Sequence, residues 1–136
     1  MTDKKKPAAF IFGARPEFIT APVEFKSVTG ADVKIDCKYT YRTRKEFATL
    51  WDEIADVKMP ELPEGEKFSF ARLADQGIDI NAERTLKYLT GWPLELEITK
   101  ENLAQLFNEE PAAPTAFWDA YRKACTEGVL GNSKPL

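Results

Sequence analysis

The chain has 136 residues, of which 43% are hydrophobic and 30% charged, a composition typical of one globular domain. It contains no histidine, and its two cysteines, Cys37 and Cys125, lie far apart in the sequence. The lack of histidine excludes Ser-His and Cys-His catalysis and histidine-based zinc sites. No apolar run is long enough for a membrane span. We therefore expect a reduced, intracellular protein with no cofactor and no metal, and a non-enzymatic role is favoured although carboxylates and lysines remain available for chemistry.

The formal net charge of −3 is unevenly distributed. Residues 1–45 carry 10 basic and 5 acidic residues, giving +5, whereas residues 46–91 carry −5 and residues 92–136 carry −3. No run exceeds three like charges, which favours attraction between halves, within one chain or between copies, over a nucleic-acid-binding arm. The basic strand residues Lys34, Lys38 and Arg42 are the candidate nucleic-acid surface. Tyr39 and Tyr41 fall on the opposite strand face, so they do not form a base-stacking platform with it.

The first third of the chain predicts a β-hairpin over residues 22–42. Residues 23–28 form a short β-prone run, and residues 29–32 supply the turn. The following strand alternates apolar and polar residues, and its predicted inward face is Val33, Ile35, Cys37, Tyr39 and Tyr41. Residues 10–12 are candidates for a further strand, in an N-terminal arm over residues 1–18.

From Thr43 onward the pattern becomes helical. Thr43 and Glu46 fit a capping box, and the helix stripe that follows is Phe47, Leu50, Trp51 and Ile54. Residues 68–75 are candidates for a helix of about two turns that Gly77 stops. Asn81 is a candidate N-cap for the next helix, whose inward side is Ala82, Thr85, Leu86 and Leu89. Gly91 suits the left-handed position after that helix.

Two more helices complete the predicted α+β fold. Thr99 caps a helix over residues 100–108, and Pro114 fits the first turn of the last helix, which Gly128 closes. Their predicted inward residues are Leu103, Leu106, Phe107, Phe117, Tyr121 and Ala124, with Ala120 and Cys125 beside them. We expect a small N-terminal antiparallel sheet followed by about four short helices. These form one domain over residues 19–130, with the helical part at 44–128 and a mobile tail at 131–136.

The sequence offers weak signals for chemistry and a stronger one for protein binding. Glu95 and Glu97 share a side if the segment is extended, but they have no neighbouring ligands, so a solvated face is favoured over a metal or acid–base pair. Cys37 and Cys125 fit small core residues better than nucleophiles. The abundant aromatic residues fit either core packing or a surface for a partner. The candidate partner-binding residues are Trp51, Trp92, Phe107, Phe117 and Trp118.

Several short motifs, taken in order, resemble the tail assembly chaperones of tailed bacteriophages and prophages. The resemblance covers roughly residues 20–132. The motifs are the Tyr-Arg-Thr-Arg-Lys-Glu-Phe run at 41–47, Gly91-Trp92, Thr-Lys-Glu-Asn-Leu at 99–103, Glu110-Pro111, Phe-Trp-Asp-Ala-Tyr-Arg at 117–122 and Gly131-Asn132. Pro93 after the tryptophan and the Phe117-Trp118 pair depart from the family pattern, which leaves the identity of partner contacts open.

The resemblance implies a non-enzymatic role in a bacterial host. Such chaperones bind the long, helical and largely apolar tape measure protein until tail tube subunits polymerise around it. The resemblance therefore implies the tape measure protein as partner, with the tail tube protein as a second candidate, and self-association along a long client. Two alternatives remain: a minor structural or completion protein of the tail, and a small nucleic-acid-binding regulatory module that uses the basic hairpin.

Overall fold

The computed structural model describes residues 11–56, 61–62 and 64–128 of the chain. Along these ranges the elements follow one another as β1 (Phe18–Lys26), β2 (Asp32–Thr40), α1 (Arg44–Ala55), α2 (Phe70–Leu86), β3 (Leu89–Gly91), α3 (Lys100–Glu109) and α4 (Ala113–Glu127). The strands form an antiparallel sheet in the order β1-β2-β3, and α4 packs against β1. The predicted α+β class is confirmed.

The hairpin of β1 and β2 forms because both strands alternate apolar and polar residues in the same register. Ala21 pairs with Cys37 and Val23 pairs with Ile35, and all four side chains are buried. The period of two therefore identifies the inward face correctly from Val33 to Tyr39, whereas Tyr41 lies beyond β2, half-buried beneath the Arg15 guanidinium. β1 begins at Phe18, so this strand extends further toward the N terminus than residue 22.

The tight connection between β1 and β2 depends on one glycine. The Ser27 N–H donates to the Ala31 carbonyl at 2.8 Å, and the Gly30 N–H donates to the Ser27 carbonyl at 2.8 Å. Gly30 has a φ of 91°, a conformation that L side chains rarely adopt. The turn predicted at residues 29–32 is thus present, and glycine is required within it.

Helix α1 begins as the capping box predicts. The Thr43 hydroxyl accepts from the Glu46 N–H at 3.2 Å, and the Glu46 carboxylate accepts from the Thr43 N–H at 3.0 Å. Phe47, Leu50 and Ile54 are buried along one stripe. Trp51, the fourth residue of the predicted stripe, is exposed at its edge.

Helix α2 is one continuous helix where two were predicted, and it contains both Gly77, expected to stop the first, and Asn81, expected to cap the second. It begins after the N-cap Ser69, whose hydroxyl accepts from the Arg72 N–H at 3.2 Å. Gly77 does not stop this helix, which runs through it with a φ that is not positive. Asn81 is not an N-cap: its backbone carbonyl lies inside the helix and accepts from the Thr85 hydroxyl.

The segment after α2 is a strand and not a helix C-terminus. Leu89 pairs with Tyr39 and Gly91 pairs with Lys38, which adds the short strand β3 to the edge of the hairpin. The Lys38 side chain lies 3.4 Å from the position of a Cβ on Gly91. Gly91 therefore permits close approach of two strands, and its φ is not positive. Leu86, expected to face inward, is exposed at the end of α2.

Helices α3 and α4 form as predicted. The Thr99 hydroxyl accepts from the Asn102 N–H at 3.0 Å, and α3 buries Leu103 and Phe107. Helix α4 has Pro114 in its first turn and ends at Gly128, which has a φ of 91°. The buried side of α4 is Ala113, Phe117, Ala120, Tyr121 and Ala124, with Cys125 half-buried.

Two polar contacts join the hairpin to the helices. The Glu110 carboxylate accepts from the Ser27 hydroxyl at 2.8 Å and from the Val28 N–H at 3.0 Å, which fastens the hairpin turn to the α3–α4 junction. The Tyr121 hydroxyl donates to the Thr40 carbonyl at 2.8 Å and accepts from Arg42 Nη1 at 3.0 Å. This second contact joins the end of β2 to α4.

The remaining predictions concern the two ends of the chain. Ile11 is outside any strand and Phe12 lies in a turn, so the further strand expected at residues 10–12 is absent from its described part, and Phe10 lies outside the described residues. The tail predicted at 131–136 also lies outside them. Across the ranges that the structure describes, none of the helices combines the length and the apolar character that crossing a bilayer requires.

Candidate functional site

The five candidate partner-binding residues lie in different environments. Phe117 and Phe107 are core residues, with 0% and 3% of their surface exposed, and their rings contact each other at 5.8 Å between centroids. Trp92 is half-buried against Phe117, and its indole Nε1 donates to a backbone carbonyl at 2.8 Å. Trp118 is also half-buried, whereas 46% of Trp51 is exposed. Only the last two of these residues lie together at one surface.

Trp51 and Trp118 form the outer part of an aromatic cluster that continues into the core. The Trp118 ring stacks on Phe47 at 5.3 Å and meets Trp51 edge-on at 5.7 Å. Tyr88 contacts Trp118 at 5.8 Å and stacks on Tyr121 at 4.5 Å, with only 6° between the two planes. Such aromatic contacts hold ring orientations beyond what area burial alone provides. The two tryptophans are therefore held in place by rings from α1, α4 and the segment after α2.

The tryptophans line a groove between α1, α2 and α4, which we call the aromatic groove. Its volume is about 310 Å³, at the small end of the range for ligand sites. The described residues that line it are Trp51, Ile54, Ala55, Asn81, Arg84, Thr85, Tyr88, Pro114, Thr115 and Trp118. Residues three or four positions apart on a helix share one face, which explains why Trp51 and Ile54 of α1, Asn81 and Arg84 of α2, and Pro114 and Trp118 of α4 all line the groove.

Arg84 is the charged residue among the described lining of the aromatic groove. Its Nε–H is shielded from water and has no hydrogen-bond partner within the described residues. The groove also contains the first turn of α4, where Ala112 provides no side-chain cap. The positive end of the α4 dipole and the guanidinium both favour a negative group there. The groove thus combines aromatic walls with a positive charge.

The two thiols and the Tyr88 hydroxyl near the core are titratable groups whose pKa values are set mainly by burial. Burial raises the pKa of the Cys37 thiol to about 12, and burial likewise raises the pKa values of Cys125 and Tyr88. A thiol with a raised pKa is a poor nucleophile at neutral pH. Among the described residues, no three acidic or cysteine side chains are grouped as metal ligands would be, and Glu95 and Glu97 join no such group.

A second apolar surface lies at the start of α2, and sequence reasoning missed it. Phe68 and Phe70 meet edge-on at 4.9 Å, and 80% of Phe70 is exposed. Leu73 lies one turn later and is also exposed. We call these three residues the α2 patch. Arg84 and Tyr88 of the groove were missed as well, because neither residue type carries a sequence signal for a binding site when it stands alone.

The outer face of the hairpin carries charges of both signs. Lys34 pairs in register with Glu24, and Lys26 forms an ion pair with Asp32 at 3.0 Å. Lys38 places its ammonium 4.4 Å from the centre of the Phe18 ring. Lys34 and Lys38, suggested for nucleic-acid binding, therefore have an acidic and an aromatic neighbour in the sheet, and Arg42, which lies after β2, donates to the Tyr121 hydroxyl and the Lys87 carbonyl.

Comparison with known proteins gives one family and one distant relative. A family model described as phage tail assembly chaperone matches residues 7–132. A curated inositol 2-dehydrogenase/D-chiro-inositol 3-dehydrogenase from Halalkalibacterium halodurans is 27% identical over 111 residues, which cover 82% of this chain. The chain spans only 29% of the length of that relative. No solved structure matches.

The distant relative does not indicate a dinucleotide site in this chain. Dinucleotide-binding folds use a glycine-rich turn after a strand of a parallel sheet. This sequence contains no Gly-x-Gly-x-x-Gly motif, and its described strands are antiparallel. The family match, by contrast, covers most of the chain, including the three helices that line the aromatic groove. The chain therefore belongs to the phage tail assembly chaperone family.

Proposed function

We propose that this protein binds the tape measure protein of its phage and keeps it soluble during tail assembly, without catalysing a reaction. Family membership supports a role with phage tail proteins. An accessible aromatic surface suits a helical, largely apolar client, because an amphipathic helix lays its apolar face in a hydrophobic groove. The proposed place of action is the cytoplasm of the bacterial host. The tail tube protein is a second proposed partner.

The observation that carries the proposal is the exposed aromatic groove. Trp51 is held edge-on against Trp118 although nearly half of its surface faces solvent. Exposed aromatic surface that is fixed in orientation is typical of protein-binding sites, since little side-chain entropy is lost on binding. Trp51 and Trp118 are therefore the proposed direct contacts among the five sequence candidates.

The other three candidates fit a supporting role in the free protein. Phe107 and Phe117 are buried between α3 and α4, and Trp92 packs beside them with its indole N–H satisfied. A client would contact these rings only if α3 or α4 moved. We propose that they hold α4, and hence Trp118, in position.

Self-association is the second part of the proposal. A long client offers many apolar stretches, so several copies are needed along it. The α2 patch is a further exposed apolar surface, separate from the described lining of the groove, and it leaves the protein a means of contacting a neighbouring copy on the same client. We expect one complex to contain more than one chaperone per client.

Co-expression with the tape measure protein of the same genome tests this function. We expect the client to become soluble and to co-elute with the chaperone, and light scattering to give a mass with several chaperones per client. An insoluble client beside free chaperone contradicts the proposal. Recovery of the protein in finished particles indicates a tail component instead. Binding of DNA or RNA that weakens steeply with salt indicates the nucleic-acid alternative.

A further inference from the structure

We infer that the aromatic groove recognises an amphipathic client helix at a point where an apolar side chain lies next to an Asp or Glu. This inference rests on the proposed function and names the chemistry of the segment that is bound. An apolar side chain enters the groove and packs against Trp51 and Trp118, and the neighbouring carboxylate pairs with Arg84.

The shape of the groove limits what enters it. Three helices form its walls, and its volume of about 310 Å³ admits one or two large side chains and not a whole helix. A client helix therefore lies across the opening and inserts side chains from one stripe, as helix-in-groove complexes do. Trp51, Tyr88 and Trp118 supply the aromatic walls for that insertion.

The charge in the groove selects an acidic neighbour for the inserted side chain. No described acidic residue lines the groove. Asp119 lies near enough to contribute to the raised pKa of Tyr88, but its carboxylate lies 3.8 Å from the guanidinium of Arg122. Arg84 therefore has no counter-charge among the described lining residues, and its Nε–H lacks an acceptor. A carboxylate binds a guanidinium through two parallel hydrogen bonds, whereas a client lysine in this place would be repelled.

The rest of the chaperone surface strengthens this selection. The protein has a net charge of −3 and would repel an acidic client at most places. The groove is thus a local positive site on an acidic protein. A client stretch with isolated acidic residues in an apolar stripe is placed in register by that single charge, while the aromatic walls supply most of the affinity.

Binding measurements with purified variants test the inference. The probe is a soluble fragment of the tape measure protein from the same genome, titrated by calorimetry. We expect Arg84→Gln and Trp51→Ala each to weaken binding about tenfold or more, which is the range of interface residues that contribute strongly. Arg84→Lys keeps the charge and is expected to restore part of the affinity. The wild-type affinity should fall with added salt more steeply than that of Arg84→Gln.

Two substitutions outside the groove and the α2 patch serve as matched controls. Arg72→Gln removes a guanidinium from α2, where it pairs with Glu66, and Phe12→Ala removes an exposed ring from the segment before β1. Both are expected to leave the fragment affinity within about twofold of wild type, at the level of near-neutral interface positions. Circular dichroism melting of each variant shows whether it is folded.

The outcomes separate this inference from the proposed function. If the wild-type protein does not bind any fragment of the client, the proposed function is wrong and the inference falls with it. If the wild type binds but folded Arg84→Gln and Trp51→Ala bind equally well, only the groove assignment is overturned. If Phe12→Ala weakens binding as much as Trp51→Ala does, the loss is not specific to the groove and the groove assignment is overturned. If Trp51→Ala weakens binding and Arg84→Gln does not, the acidic neighbour is refuted.

Discussion

Two buried tyrosines, Tyr39 and Tyr121, provide a sharp test of how polar groups are satisfied in this core. Both are fully buried, and their rings lie 5.3 Å apart. They differ in their hydroxyl groups. The Tyr121 hydroxyl has two partners, Thr40 and Arg42, whereas the Tyr39 hydroxyl lies beside the Cys37 thiol and has no partner of standard geometry among the described residues.

The substitution Tyr121→Phe is expected to destabilise the fold. It leaves the Thr40 carbonyl without its donor at 2.8 Å and Arg42 Nη1 without its acceptor at 3.0 Å. A lost neutral hydrogen bond costs about 1 kcal/mol and one to a charged group about 1.5–3 kcal/mol. Arg42 is only part-buried and regains water, so we expect a total of about 2 kcal/mol. For a chain of 136 residues, this lowers Tm by about 7 °C.

The substitution Tyr39→Phe, by contrast, is not expected to destabilise the fold. It removes a buried hydroxyl that has lost its water without gaining a standard hydrogen bond. Removing such a group avoids its desolvation cost, of about 1–3 kcal/mol, and leaves the ring in place. We expect the free energy of unfolding to stay within about 0.5 kcal/mol of wild type or to rise.

Urea unfolding followed by circular dichroism measures both changes, with thermal melting as a second readout. The reasoning is refuted if Tyr39→Phe loses as much stability as Tyr121→Phe. That outcome would mean that hydroxyl satisfaction does not distinguish the two sites. An unchanged m-value in both variants is needed, since a changed slope indicates an altered denatured state.

Four further predictions concern a helix cap, the pH dependence of its carboxylate, a turn and a thiol. Thr43→Ala removes the N-cap of α1 and should cost about 1 kcal/mol in urea unfolding. The backbone hydrogen bond from Thr43 lowers the pKa of Glu46 below its usual value, so its stabilisation is complete above about pH 4.3 and is lost as the pH falls further. Melting of Glu46→Gln should therefore depend less on pH between about 5 and 3. Glu110→Ala releases the hairpin turn and should speed amide exchange at residues 27–30. With its pKa raised to about 12 by burial, Cys37 should resist thiol reagents at about pH 8 until the protein unfolds.

The cap, turn and thiol predictions each have a control or an outcome that would contradict them. Thr49→Ala changes an exposed hydroxyl inside α1 and is the control for the cap, so equal losses at the two threonines contradict the capping argument. Unchanged exchange in Glu110→Ala shows that the turn does not depend on that carboxylate. Reaction of Cys37 as fast as that of the half-buried Cys125 contradicts the burial of Cys37.

The elements predicted correctly from the sequence are those whose signals are local. Thr43, Thr99 and Pro114 each mark a helix start through chemistry within one turn, and Gly30 and Gly128 mark positions of positive φ. These signals need no knowledge of the tertiary fold. The alternation of β2 is equally local, which is why its buried face was identified correctly.

The errors occur where distant contacts decide the structure. A glycine within a helix is tolerated when packing elsewhere compensates, and α2, which contains Gly77, packs against α3. The strand β3 has three residues and exists because β2 offers a free edge at Lys38 and Tyr39. Local periodicity in three residues cannot distinguish such a strand from a helix end.

The candidate site was predictable in its residue types and not in its geometry. Aromatic abundance pointed to Trp51 and Trp118, but their contact arises from the packing of α1 on α4, far apart in sequence. The same abundance also named Phe107 and Phe117, which the fold places in the core. Arg84 gave no sequence signal, since a lone arginine on a helix is ordinarily a solvated residue.

The packing of α4 against β1 has a consequence for synthesis of the chain. The inner face of the hairpin is complete once Thr40 has been made, but the helix that covers β1 ends at Glu127. At about 5–20 residues per second, the ribosome needs roughly 4–17 s to make the intervening segment. During that interval the nascent hairpin exposes Val23, Ile35 and their neighbours without their cover. A protein proposed to shield apolar surface in another chain therefore passes through a stage in which its own sheet is open to aggregation.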